Sequence, residues 1–132
     1  MATATITTGP VLNGSETGAR AQIVRVLISN DDSVPATFEI EVFSIPDNAN
    51  NSPKVPIAHQ LFSIGALTAK NVDIPIFGAP IFEVQLRGTS SNPTQVDTIT
   101  TVVGVDAGGK IVDNLQFLNF ELIGIAALTP IA

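Results

Sequence analysis

The sequence predicts an all-β protein: an antiparallel β-sandwich, jelly-roll-like, of about eight strands with an extended N-terminal arm. Three observations carry that expectation. Apolar and polar residues alternate with period two in one segment after another, turn-forming clusters separate those segments about every ten residues, and no stretch holds a helical period. The large apolar side chains are Ile, Val, Leu and seven Phe, with no Trp or Tyr, which suits a pleated, half-buried surface.

The chain opens on Ala2, Thr3, Ala4, Thr5, Ile6 and Thr7, where the alanines and Ile6 share one side of a strand and the threonines the other. Gly9-Pro10 interrupts it, Val11-Leu12 adds apolar bulk, and Asn13, Gly14, Ser15 and Gly18 belong to a flexible polar run. Residues 1–18 therefore read as an arm on a tether, and 19–132 as the sandwich domain. From Arg20 to Asn30, Val24, Val26 and Ile28 share one face while Ile23 and Leu27 make the other partly apolar, as a central strand would. Asn30-Asp31-Asp32-Ser33 turns the chain.

From Ala36 to Ile45, Phe38, Ile40 and Val42 point inward and Thr37, Glu39 and Glu41 outward. A polar loop, Pro46 to Pro53, follows. Val55 to Ile64 reads as an edge strand because Pro56 cannot donate to a ladder. Thr68 to Ile76 comes next, and Ile81 to Arg87 alternates most cleanly, with Phe82, Val84 and Leu86 inward and Glu83, Gln85 and Arg87 outward. After a loop from Gly88 to Thr94, Gln95 to Val105 and Lys110 to Ile125 flank a tight hairpin at Asp106-Ala107-Gly108-Gly109. Past Ile123 a final strand gives way to a loose tail.

Little in the chain can do covalent chemistry. It has one His and no Cys, so His59 finds no second imidazole or thiol for a metal site or a nucleophile-base pair, and it reads as structural. A triad of His59 with Ser63 and Asp73 is not asked for by their spacing. Glu39 and Glu41 on one strand face, or Asp31-Asp32 in a turn, invite a glycosidase pair or calcium ligands, but an outward strand face and an acidic turn explain them. Asn13-Gly14-Ser15 and Asn50-Asn51-Ser52 match the glycosylation pattern within loops. No catalytic residue, cofactor or metal is expected, and the protein is not expected to be an enzyme.

The charged fraction is 14%, below the roughly 25% of ordinary domains, and the net charge is −6. So few Lys and Arg cannot hold a phosphate backbone, so nucleic acid is excluded as a partner. No run approaches the roughly twenty apolar residues of a membrane span, and Met1 to Thr5 shows no secretory signal. The missing cysteines fit a cytosolic protein or an extracellular bacterial one equally.

Thr8-Gly9-Pro10-Val11-Leu12-Asn13, Val24 to Asn30, Val42 to Ile45, Phe82 to Leu86 and the hairpin Val102 to Val112 together resemble small β proteins on the spore surface of Bacilli. In plan the chain is similar to the subunits of endospore appendages, fibres of jelly-roll protomers joined by N-terminal connectors. The resemblance implies a homopolymer on the spore surface, an anchoring protein there as a further partner, and release by lysis of the mother cell. The appendage subunits carry crosslinking cysteines, and this chain has none. The expected function is a fibre subunit in which Ala2 to Leu12 adds as a strand to a neighbour's sheet. The alternatives are a carbohydrate- or ligand-binding adhesion module using the loops Pro46 to Pro53 and Gly88 to Pro93, and a phage or viral capsid or decoration protein.

Overall fold

A computed structural model describes residues 1–14 and 18–131 of the chain, with the Phe120 side chain left aside. Its strands are β1 (Ala2–Thr7), β2 (Val11–Leu12), β3 (Ile23–Asn30), β4 (Ala36–Ile45), β5 (Val55–Ile64), β6 (Thr68–Pro75), β7 (Ile81–Ser90), β8 (Thr98–Val105), β9 (Ile111–Phe117) and β10 (Ile123–Gly124), with one 3-10 turn at Asn119–Glu121. Eight of them are six residues or longer. They form two antiparallel sheets packed as a sandwich, one in the order β10-β1-β7-β4-β5 with β2 also on β7, the other β6-β3-β8-β9.

Three long ribbons explain this order. β3 and β4, β5 and β6, and β7 and β8 each run through one sheet, turn a corner and continue in the other. The β3–β4 ribbon lies between the other two in both sheets, pairing with β6 and β8, then with β5 and β7. Its inward residues are accordingly the most buried, with Val24, Val26, Ile40 and Val42 fully inaccessible. β3 is central and β5, with Pro56, is an edge, as their sequences indicate.

The corners are stitched by two buried polar residues. Asn30 Nδ2 donates to the carbonyls of Val34, Ile64 and Gly65, and its Oδ1 accepts from Asp32 N at 3.1 Å. Asp32 accepts from Ser33 N at 2.7 Å and Asn92 Nδ2 at 3.2 Å, so the Asn30-Asp32 turn ties all three corners together. Such satisfied groups let the backbone change sheets without leaving buried donors unpaired.

Sequence and structure differ at β7 and at the end of the chain. β7 continues through Gly88 to Ser90, because Ala2 to Ala4 and Ala36 to Phe38 pair there on either side. Beyond β9 the chain leaves the four-stranded sheet at Leu118 and joins the other sheet only as the two-residue β10, beside β1. At Gly104, where the β8–β9 register shifts, a Cβ would stand 2.9 Å from Leu115 Cβ on the neighbouring strand and 3.0 Å from Ala21 Cβ, so only glycine fits.

Candidate assembly site

The arm residues are placed within their own sheet. Ala2 to Thr7 pair in antiparallel register with Ser90 to Gln85, and Val11 and Leu12 pair with Phe82 and Ile81 of the same strand. Between them Gly9, at φ +65°, accommodates the break that Gly9-Pro10 predicts. Thr8 N donates to Val84 O and Thr8 Oγ1 accepts from Val84 N, which keeps the two pieces in step. Residues 2–12 are thus an integral part of the six-stranded sheet, and the sandwich does not begin at residue 19.

The two sides of β1 are buried differently from the sequence expectation. Ile6 packs half-buried against the core and, with Ala4, walls a cleft lined by Phe38, Leu86, Val96 and Thr98. Thr5 and Thr7, on the outer side, are the more buried residues. The cause is the chain beyond β10: Ile125 N donates to Thr5 O, and Thr129 exchanges two hydrogen bonds of 2.8 Å with the Gln85 side chain. The tail therefore roofs the outer face instead of hanging loose.

Under that roof lies a buried polar patch. Thr7 Oγ1 donates to Glu83 Oε2 at 2.5 Å, Gln85 Nε2 donates to the same oxygen at 3.1 Å, and Lys54 Nζ sits 2.6 Å from Glu83 Oε1. Lys54 also lies over the buried Phe43 ring, 5.9 Å from its centroid. Burial raises the Glu83 carboxyl, but the bonds from Lys54, Thr7 and Gln85 outweigh it and hold the group below the usual glutamate range. Glu83 and Gln85 are hence outward but not solvent-facing, which corrects the half-buried strand that alternation alone implies.

The tether is anchored at its start. Asn13 is buried; its Nδ2 donates to Ala21 O and Ala79 O, its Oδ1 accepts from Ala21 N, and its backbone N donates to Pro80 O. A side chain so engaged is a fixed point and not part of a flexible run. Gly14 and Gly18 follow without strand pairing, Gly18 at φ +83°, while Ser15 lies outside the described residues.

No family model, curated protein or solved structure matches this chain. The reading of the site therefore rests on its own geometry.

That geometry separates several groups the sequence left open. His59 projects from the outer face of one sheet and Asp73 pairs with Arg25 on the other, so His59, Ser63 and Asp73 do not converge. The loops Pro46 to Pro53 and Ser91 to Pro93 lie at opposite ends, since Ile45 pairs with Ile81 and Ala36 with Ser90. They do not form one binding surface. Asp31-Asp32 belongs to the corner network described above.

What sequence reading missed is the meeting of Glu39, Glu41 and His59. Register sets His59 opposite Glu41 on β5, and Arg87 opposite Glu39 on β7. His59 Nε2 contacts Glu39 Oε2 at 2.5 Å, and Arg87 Nη2 donates to Glu39 Oε1. Glu41 is buried beside them, and burial, then the Glu39 charge, push its carboxyl above the usual range. The only advance signal was the two-residue spacing of the glutamates.

Proposed function

We propose that the protein is a non-enzymatic structural subunit that polymerises into a fibre, with residues 2–12 crossing into the neighbouring subunit's sheet. The carrying observation is the placement of this terminal segment: every strand pairing it makes is with β7 or with the short β10. The same register can be made with β7 of another copy, at the cost of no new chemistry. The link 14–20 spans up to about 25 Å when extended, the length of a strand of seven or eight residues. Exchange in one direction leaves a vacant β7 edge at one end and a free arm at the other, so the contact propagates.

The two ends of the sandwich also support a longitudinal contact. Phe77 is 81% exposed at one end and Leu67 is 72% exposed at the other, both with positive φ, a backbone region that bulky residues rarely occupy. Holding apolar side chains out at strained turns is unfavourable for a monomer and is repaid when a partner covers them. The resemblance to spore-appendage subunits points the same way, toward a spore-surface polymer with an anchoring partner.

The absence of cysteine makes the test clean. Thr3 and Thr89 are register partners on β1 and β7. A Thr3→Cys/Thr89→Cys chain, oxidised under assembly conditions and run without reductant, gives a ladder of covalent oligomers if the arm is exchanged. A product that stays entirely monomeric sinks strand exchange, and filaments that persist after deletion of residues 2–12 sink the arm's role altogether.

A further inference from the structure

We infer that Glu39, Glu41 and His59 form a binding site for one divalent transition-metal ion, of which zinc is the representative. One carboxylate oxygen of each glutamate and one imidazole nitrogen lie within 4.8 Å of one another. The strands set this up directly. Glu39 and Glu41 are two apart on β4 and so share a face, and the β4–β5 register brings His59 level with Glu41.

A second observation sets the cluster apart from a chance group of acids. Glu41 is only 4% exposed, and its Oε1 is buried without a hydrogen-bond partner. A carboxylate oxygen taken out of water with nothing to accept from is unfavourable, and a cation between it and its neighbours removes that deficit. One nitrogen and two oxygens are a donor set that zinc accepts, with water completing the shell.

The surroundings fit the role. Bonds of about 2.0–2.2 Å place tetrahedral ligands about 3.3 Å apart, so the 2.5 Å contact of His59 with Glu39 opens to admit the ion while ligand atoms up to 4.8 Å apart close in on it. Arg87 holds Glu39 through Oε1, which leaves Oε2, now in contact with His59, to turn to the metal. That is the orienting contact a metal-ligating carboxylate usually has. His59, at 41% side-chain exposure, forms the open side through which an ion enters. The two carboxylate charges outweigh the single guanidinium, so the site attracts a cation when the imidazole is neutral. The location, on the outer face near the β5 edge, is separate from the β1–β7 pairing, so the inference stands or falls independently of fibre assembly.

His59 is the chain's single histidine and there is no thiol to compete, so the test is direct. Full-length protein is freed of metal with chelator, exchanged into neutral buffer and titrated with zinc chloride, following heat by calorimetry and the His59 ring signals by NMR. The expected result is one ion per chain, a shift of the ring signals that saturates with it, and a higher Tm. Glu41→Gln and His59→Ala should each weaken binding tenfold or more, while Asp97→Asn, remote from the cluster, leaves it unchanged. Ring signals that do not move at saturating zinc, or binding that survives both substitutions, overturn the site. Zinc without effect on either readout overturns the site as well.

Discussion

On the outer face of the six-stranded sheet, Thr5, Thr7, Glu41, Glu83 and Gln85 are all buried, whereas on the outer face of the four-stranded sheet Arg25 and Asp73 stand in solvent. The second face also carries apolar residues among its polar ones, Leu27 and Ile99 included. On the first face the chain beyond β10 bonds to Thr5 of β1 and to Gln85 of β7, whereas the Arg25–Asp73 pair on the second stands exposed. A polar face under a roof becomes a network whose members depend on one another, and an open one remains a set of separate contacts.

The sharpest way to break this contrast is to remove the roof. Truncation after Gly124 deletes the bonds to Thr5 and Gln85 and the half-buried Ile125 and Leu128. The expected loss is about 3 kcal/mol from hydrogen bonds and apolar area together, read as a lower urea midpoint. Amide exchange should rise along β1 and β7 but not along β3. Equal exchange on both sheets would mean that the tail does not protect the face it crosses.

Much of the sandwich could be read beforehand, and the roof could not. β4 and β5 follow from alternation and from Pro56 because strand faces are a local property, repeated every two residues. Whether an outward residue reaches solvent is not local. Gln85 looks like a surface residue until Thr129, 44 positions away, is placed on it, and Glu83 until Thr7, 76 positions away, is set beside it. The arm was legible as a strand from Ala2 to Thr7, but its partner, β7, is decided by long-range pairing. The Glu39-Glu41-His59 cluster was hidden for the same reason, since it exists only through the register between β4 and β5.

A smaller effect separates the two faces by their carboxylates. Glu83→Ala leaves Lys54, Thr7 and Gln85 without their common acceptor and should cost about 2 kcal/mol. Asp73→Ala on the open face removes a 2.8 Å pair with Arg25 and should cost much less, as exposed pairs do. The acid limbs should differ too. The Glu83 carboxyl is held below its usual range, so the unfolded chain binds that proton more readily, and the stability it contributes disappears as pH falls below about 4. Urea midpoints between pH 6 and pH 3 should therefore fall less steeply in Glu83→Ala than in the parent. Parallel curves would mean that Glu83 is not the group being titrated.

The smallest expected change has the opposite sign. Glu41 is outward on the same sheet as Glu83 and as buried, yet its Oε1 has no partner and Glu39 adds a second negative charge nearby. In chelator-treated protein, Glu41→Gln keeps the shape and removes the charge, so stability at neutral pH should rise by about 1 kcal/mol. Because its carboxyl is held above the usual range, the folded protein takes up this proton first on acidification and is stabilised as it does so. The advantage of glutamine should therefore shrink as pH falls toward about 4.3. On acidification the unfolded chain takes up the Glu83 proton first, whereas the folded protein takes up the Glu41 proton first. Two carboxylates on one covered face thus act in opposite directions, because one has its donors and the other lacks them. If Glu41→Gln destabilises the metal-free protein in urea unfolding, the carboxylate is already paired when folded, and the case for an ion beside it weakens with that result.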